Sequence, residues 1–297
     1  MMRSKLLFLL LLVAVAVSFL CAADKRFDKT FDVSPGGTLR LETDVGHVSV
    51  EGTGSSQVSI TATIRGSSRD VEEFEVSAEK SGRDVEVIAG ARSRRWNFRD
   101  LDVRFVVKVP REYNLRIHTS GGDIDVESVK GAVKGETSGG NVSVGDVEGT
   151  VQMGTSGGNV RARDVKGDVQ MEMSGGNVFV QSVHGAAHVE TSGGNVDVLD
   201  VSGKVRAETS GGNVTVRVTG ENDGIYAETS GGDIDITIGP DVKATLDAST
   251  SGGSVYCDFP VTISGRIDPS RIRGEINGGG NMIHAHTSGG SVRIGPI

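Results

Sequence analysis

The chain has 297 residues, including 43 glycines and one tryptophan, and a net charge of −8. Its first 23 residues hold two of the 31 basic residues and none of the 39 acidic ones, so the remainder carries −10. A surface of that sign repels phosphate backbones and argues against nucleic acid as a partner.

The start reads as an export signal. Arg3 and Lys5 precede an apolar run at 6–20, and Cys21-Ala22-Ala23 offers small residues for cleavage before Asp24. The run is short for a membrane span, which needs about 20 apolar residues. Residues 1–23 are therefore expected to be a removed signal peptide, leaving no transmembrane segment. The destination is then the periplasm, the cell surface or the medium. Removal leaves Cys257 as the single cysteine, so no intrachain disulfide can form.

Residues 24–118 read as a β-rich cap with the first, degenerate coils. Strand-like runs lie at 58–64, 74–79, 85–88 and 103–109, and Ser67 begins one or two helical turns. A cap is needed because the open end of a parallel stack is a template for aggregation. The loop at 92–99 concentrates arginines and the tryptophan. Arg94, Arg95, Trp96, Phe98 and Arg99 are a candidate partner-binding loop, since Arg and Trp are favoured at binding hot spots. The alternative is that its aromatics fold back as the core of the cap.

Residues 119–297 are repetitive. Thr-Ser-Gly-Gly-Asn-Val starts at Thr137, Thr155, Thr191 and Thr209, with Met173 replacing threonine once. Variants start at Thr119, Thr229, Thr250 and Thr287, and the period is 18 residues from Thr119 to Thr209. Within a unit, Val196 and Val198, then Val205 and Ala207, alternate with polar residues, which is the strand period. Glycines punctuate the strands, and Gly193 is expected to supply positive φ. Neither strand buries its apolar face alone, whereas stacked units do. The fold class is all-β, a single-stranded parallel β-solenoid of about 18 residues per coil. One core column is expected to run Ile124, Val142, Val160, Val178, Val196, Val214, Ile234, Val255. A second runs Val133, Val151, Val169 and Val205, with Val189 shifted by two. Met173 implies that its column points inward.

Asn141, Asn159, Asn177, Asn195 and Asn213 form a third column, expected to be a structural ladder of amides bonded from coil to coil. Neutral amides at the turn argue against a calcium roll, so no metal is expected in the fold. The carboxylate column Glu136, Glu172, Glu190, Glu208 and Glu228 reads as a solvated face, because a repeated residue does not make a unique site. His184 with His188, and His284 with His286, read as surface residues. Cys257 aligns with Val144, Val180, Val198 and Ile236 and is expected to be buried. No catalytic residue, metal ligand or cofactor emerges.

A coil such as Leu41-Glu42-Thr43-Asp44-Val45-Gly46, the strand end Val107-Lys108-Val109-Pro110 and the serial Thr-Ser-Gly-Gly-Asn/Asp-Val/Ile motifs resemble the bacterial DUF4097 putative adhesin family, over about residues 31–294. That resemblance implies a parallel β-solenoid of the cell envelope and brings no catalytic residues. The expected function is an exported structural or binding scaffold, not an enzyme, presenting side-chain ladders to an unknown protein or envelope polymer. A carbohydrate-active β-helix enzyme and an envelope-stress sensor are the alternatives. An enzyme would hold carboxylates converging in one cleft, whereas a scaffold would show flat ladders.

Overall fold

The computed structural model describes residues 23–92, 101–263 and 268–297. The expected signal segment and the Arg94–Arg99 loop, with Trp96 at its centre, lie outside the described residues apart from Ala23. The described strands form two sheets, of 13 and 14 strands. A regular coil gives one strand to each, such as Val142–Glu148 to the first and Val151–Thr155 to the second. Successive coils pair in parallel with an offset of one repeat, so Val142 faces Val160 and Val151 faces Val169. Alternation turns the valines of both sheets inward, and they form one continuous core. Each such valine contributes about 2 kcal/mol on burial.

The second core column keeps its period where a shift was expected. Ala187 stands between Val169 and Val205, and Val189 lies two residues along, between Met171 and Ala207. The repeat does not slip there; a smaller side chain fills the place.

The strand of the first sheet bends once per coil. Ser128, Asp146, Asp164, Ser182 and Asp200 all take positive φ, between 48° and 61°. Short polar side chains tolerate this region best among non-glycine residues. The bend shifts the alternation by one, so Val129, Val147, Val165, Val183 and Val201 also enter the core.

The Thr-Ser-Gly-Gly-Asn turn is a clasp between coils. The threonines of the motif are buried, as is Met173 in their column. Thr155 Oγ1 donates to the carbonyl of Gly140 in the preceding coil at 2.9 Å, and Thr209 Oγ1 to that of Gly194 at 2.8 Å. The same hydroxyls accept from their own turn glycines, as from Gly158 N at 3.3 Å. A buried hydroxyl is thereby satisfied in both of its roles.

The coil order departs from the sequence order at both ends. Thr38–Thr43 lies between Asn114–Thr119 and Asp84–Ala91, so the first coil sits inside the second. At the other end Met282–Thr287 lies between Ile225–Thr229 and Ala244–Thr250. Val292–Pro296 likewise lies between Ile234–Ile238 and Val255–Cys257. The expected step from Ile234 to Val255 is thus interrupted by Val292. Antiparallel strands then close most of the stack. Gln57–Gly66 and Ala23–Asp32 extend the first sheet, and Phe74–Ser81 extends the second. The helix Ser68–Glu73 follows the expected serine cap, with Ser67 Oγ accepting from Asp70 N at 3.2 Å. Arg271–Ile276 and, beyond it, Val261–Thr262 extend the far side of the second sheet antiparallel. In the first sheet, the far edge is Val255–Cys257.

Candidate functional site

The outward face of the second sheet carries two rows of side chains, fixed by the parallel register. One row runs Arg40, Arg116, Lys134, Gln152, Gln170, His188, Arg206, Tyr226, His284. Two residues further along each strand, the other runs Glu42, His118, Glu136, Gly154, Glu172, Glu190, Glu208, Glu228, His286. The first row is mostly basic, amide or aromatic, and the second mostly acidic. The expected glutamate column is therefore real and belongs to a longer pair of rows.

Pairing between the rows is local. Lys134 Nζ lies 3.5 Å from Glu136 Oε1, and His188 Nε2 lies 3.0 Å from Glu190 Oε1. Arg206 bridges Glu208 and Glu190. Arg206 also lies over the Tyr226 ring at 4.5 Å, and Tyr226 stacks on His284 with centroids 4.9 Å apart. The Tyr226 hydroxyl donates to Glu228, and the resulting bond, with burial, pushes its pKa up to about 12. His286 shares a 3.0 Å hydrogen bond with Ser249 and does not pair with His284. The sequence signalled each of these histidines as exposed but not the planar stack of Arg206, Tyr226 and His284. That stack depends on the intercalated last coil.

Glu208 is the least exposed of the glutamates in these ion pairs. Burial raises its pKa, Arg206 opposes the rise, and Glu190 and Glu228 reinforce it. A carboxyl with a raised folded pKa holds its proton more tightly when folded. Stability therefore falls as pH climbs from the unfolded value of about 4.3 through the folded one. Glu208→Gln is expected to raise the Tm at pH 7 and to change it less at pH 4. A fall at pH 7 in thermal melts would show that the Arg206 pairing outweighs burial.

These two facing rows and the clasped turns belong to a repeat that extends almost to the last residue. The Toastrack DUF4097 family profile matches residues 38–295. The chain is a member of that family. A search of curated proteins finds no match to this Toastrack chain. Among solved structures, a putative cell adhesion protein from Clostridium sporogenes is 12% identical, with a TM-score of 0.27, over 92% of this chain and 100% of that one. A putative adhesin from Parabacteroides distasonis is 10% identical, with a TM-score of 0.32, over 92% and 97%. A putative lipid binding protein from the same species is 14% identical, with a TM-score of 0.27, over 92% and 96%.

The asparagine column of this Toastrack chain is a ladder of a different kind from the one expected. Each Oδ1 accepts from the backbone N–H of the next coil: Asn141 from Asn159 at 3.0 Å, Asn159 from Asn177 at 2.8 Å, and Asn177 from Asn195 at 2.9 Å. Asn195 and Asn213 continue it to Asn213 and Asp233, both at 2.9 Å. Amide-to-amide contacts are long where they occur, at 3.4 Å between Asn159 and Asn141. The position needs an acceptor, not an amide, which explains why Asp123 and Asp233 serve equally well. Asn177→Ala should cost about 1 kcal/mol, the usual net worth of one hydrogen bond, while Asn177→Asp should be nearly neutral. Denaturant titrations of both variants decide this; equal losses would mean that the amide nitrogen matters.

Cys257 is half-buried, not fully buried as its alignment suggested. Its strand is the outermost of the sheet, because the last coil has taken the interior place. Burial still pushes its thiol pKa up. Among the described residues no group of three or more His, Cys, Asp and Glu side chains could hold a metal ion. Among them also, no helix is long and apolar enough to cross a membrane.

Proposed function

We propose that this protein is an exported scaffold of the bacterial envelope. It binds a protein or an envelope polymer along the outward face of the second sheet and does not act as an enzyme. One observation carries this reading: the basic and acidic rows stay in register from coil to coil, and the carboxylates lie along a line instead of converging. A linear array of that kind presents the same contacts repeatedly, so weak contacts sum to avidity against a repetitive partner. The Leu6–Leu20 run and the Cys21-Ala22-Ala23 site support export.

The test is a binding screen of residues 24–297 against glycans, lipids and fractionated envelope, with polysaccharide turnover measured alongside. The reading expects retention of one envelope component, weakened by the charge reversal Arg206→Glu. Turnover of a polysaccharide would overturn the scaffold reading in favour of the enzyme. Retention that is insensitive to charge on this sheet would overturn the choice of face.

A further inference from the structure

Four of the chain's six histidines stand on the outward face of the second sheet, His118 and His286 in the mostly acidic row, His188 and His284 in the other. The remaining two, His47 and His184, belong to strands of the first sheet. All four on the second sheet are exposed or half-buried, so protons reach them from solvent. Apart from them, the two rows hold four cations, Arg40, Arg116, Lys134 and Arg206, against six glutamates, an excess of two negative charges. Histidine is the side chain that ordinarily changes charge between pH 5 and 8. Four protonated histidines turn that excess into two positive charges. Glu208, whose pKa burial raises, loses charge in the same direction as pH falls.

Polar groups face these histidines from the strands on either side. His118 lies between Glu42 and Glu136, with Nδ1 4.0 Å from the Glu136 carboxylate and Arg116 two residues before it. His188 lies between Gln170 and Arg206, with Nε2 3.0 Å from Glu190 Oε1, and it is near enough to Glu208 to oppose the rise in that pKa. His284 lies between Tyr226 and Asp247, whose carboxylate Arg271 and Arg273 already hold. His286 lies between Glu228 and Ser249 and meets the Ser249 hydroxyl through Nδ1. Five of the six glutamates already take a donor on the face: Glu136 from Lys134, Glu172 from Gln170, Glu190 from His188, Glu208 from Arg206 and Glu228 from Tyr226. The cations are less well matched. Arg40 leans to Glu86 at 3.8 Å and Lys134 to Glu136 at 3.5 Å, but Arg116 between them has no ion-pair partner among the described residues. Like charges directly opposite one another on neighbouring strands are destabilising, and an anion laid across them removes that cost. What the face has to spare is therefore donors.

We propose that this face captures a carboxylate-bearing glycan through Arg116 and the four protonated histidines, and releases it as pH rises through the histidine range. Charge-assisted hydrogen bonds from guanidinium and imidazolium to carboxylate are the strong ones available here. A glycan with an acidic group in every repeat matches donors held in register from coil to coil, so weak contacts sum. Linkage fixes the sign. A polyanion binds the protonated face better than the neutral one, so its affinity climbs as pH falls, and its binding draws protons onto the histidines. The proposal rests on the second sheet being the display face.

The experiment titrates residues 24–297 with polygalacturonate at about pH 7.5 and about pH 5, either side of the histidine range, at one ionic strength. Affinity should be at least about tenfold higher in acid. The joint variant His118→Gln, His188→Gln, His284→Gln, His286→Gln should lose that gain, and the control His47→Gln, His184→Gln should keep it. Arg116→Gln should weaken binding in acid at least about threefold and melt like the parent. Should the joint variant melt early, His118→Gln alone and His188→Gln alone must each lose part of the gain. An acid gain that survives all of these histidine changes, or that the control also loses, overturns the switch. Polyglutamate bound as tightly as polygalacturonate overturns the choice of a glycan. If an envelope component is retained equally at both pH values and is lost with Arg206→Glu, the switch fails and the display face stands. If Arg206→Glu binds polygalacturonate as the parent does, the face itself fails.

Discussion

Gly194→Ala should destabilise the protein by about 3 kcal/mol or more, and Gly193→Ala, its immediate neighbour, by less than about 1 kcal/mol. The difference comes from stacking and not from conformational freedom. A Cβ on Gly194 would lie 1.9 Å from the carbonyl oxygen of Gly176 in the preceding coil. That oxygen belongs to the backbone and cannot turn aside. It also accepts from Thr191 at 3.4 Å, so a push at Gly194 opens the clasp below. The second glycines of the neighbouring turns are equally close: Gly158 to Gly140 at 2.0 Å and Gly212 to Gly194 at 2.1 Å. Gly193 meets nothing nearer than 3.9 Å, and its φ is not positive. The expectation that Gly193 serves as a positive-φ hinge is thus corrected; of the pair, the second glycine is the constrained one. Urea denaturation of the two variants gives the comparison. A Gly193 variant as unstable as the Gly194 variant would mean that the turn is limited by backbone conformation instead of by coil-to-coil approach.

This pair of glycines marks what a sequence can and cannot carry. Period two and period 18 are both visible in Val196, Val198 and Val205, because core columns repeat one residue type. The inward place of Met173 was legible from a single exception to threonine. The role of the asparagines was half legible. Their stacking follows from the period, but the acceptor's true partner, a backbone N–H, leaves no mark in side-chain identity. The left-handed bend at Ser128, Asp146, Asp164, Ser182 and Asp200 does leave a mark, a short polar residue before each corner valine. Such residues are equally common in ordinary turns, so the mark is ambiguous without coordinates. The gap at Gly154 shows as a glycine in a glutamate column. The order of coils was not legible at all. The segments that start at Thr250 and Thr287 carry the same Ser-Gly-Gly-Ser-Val sequence, so either can stack on the coil before it.

That last ambiguity has a large and measurable consequence. Ile294→Asp should cost about 3–5 kcal/mol, whereas Cys257→Asp should cost about 1 kcal/mol. In sequence order, Cys257 would sit one coil inside the stack and Ile294 would lie on its last coil. In the observed order the two exchange places. Ile294 has Ile236 on one side and Cys257 on the other, and it is fully buried. A carboxylate there would lie in the apolar core with no cation in reach, which is the costly case. Cys257 has Ile294 on one side and the edge of the sheet on the other, so a carboxylate can turn to water. The intercalation also accounts for the short outermost strand, since only the three residues Val255–Cys257 need to cover the last coil. Chemical denaturation of the two variants ranks the positions directly. If Cys257→Asp proves the more damaging, the coils stack in the order of the chain. The planar ladder from Arg206 through Tyr226 to His284 would then lose its last member, because His284 reaches Tyr226 only from the intercalated coil.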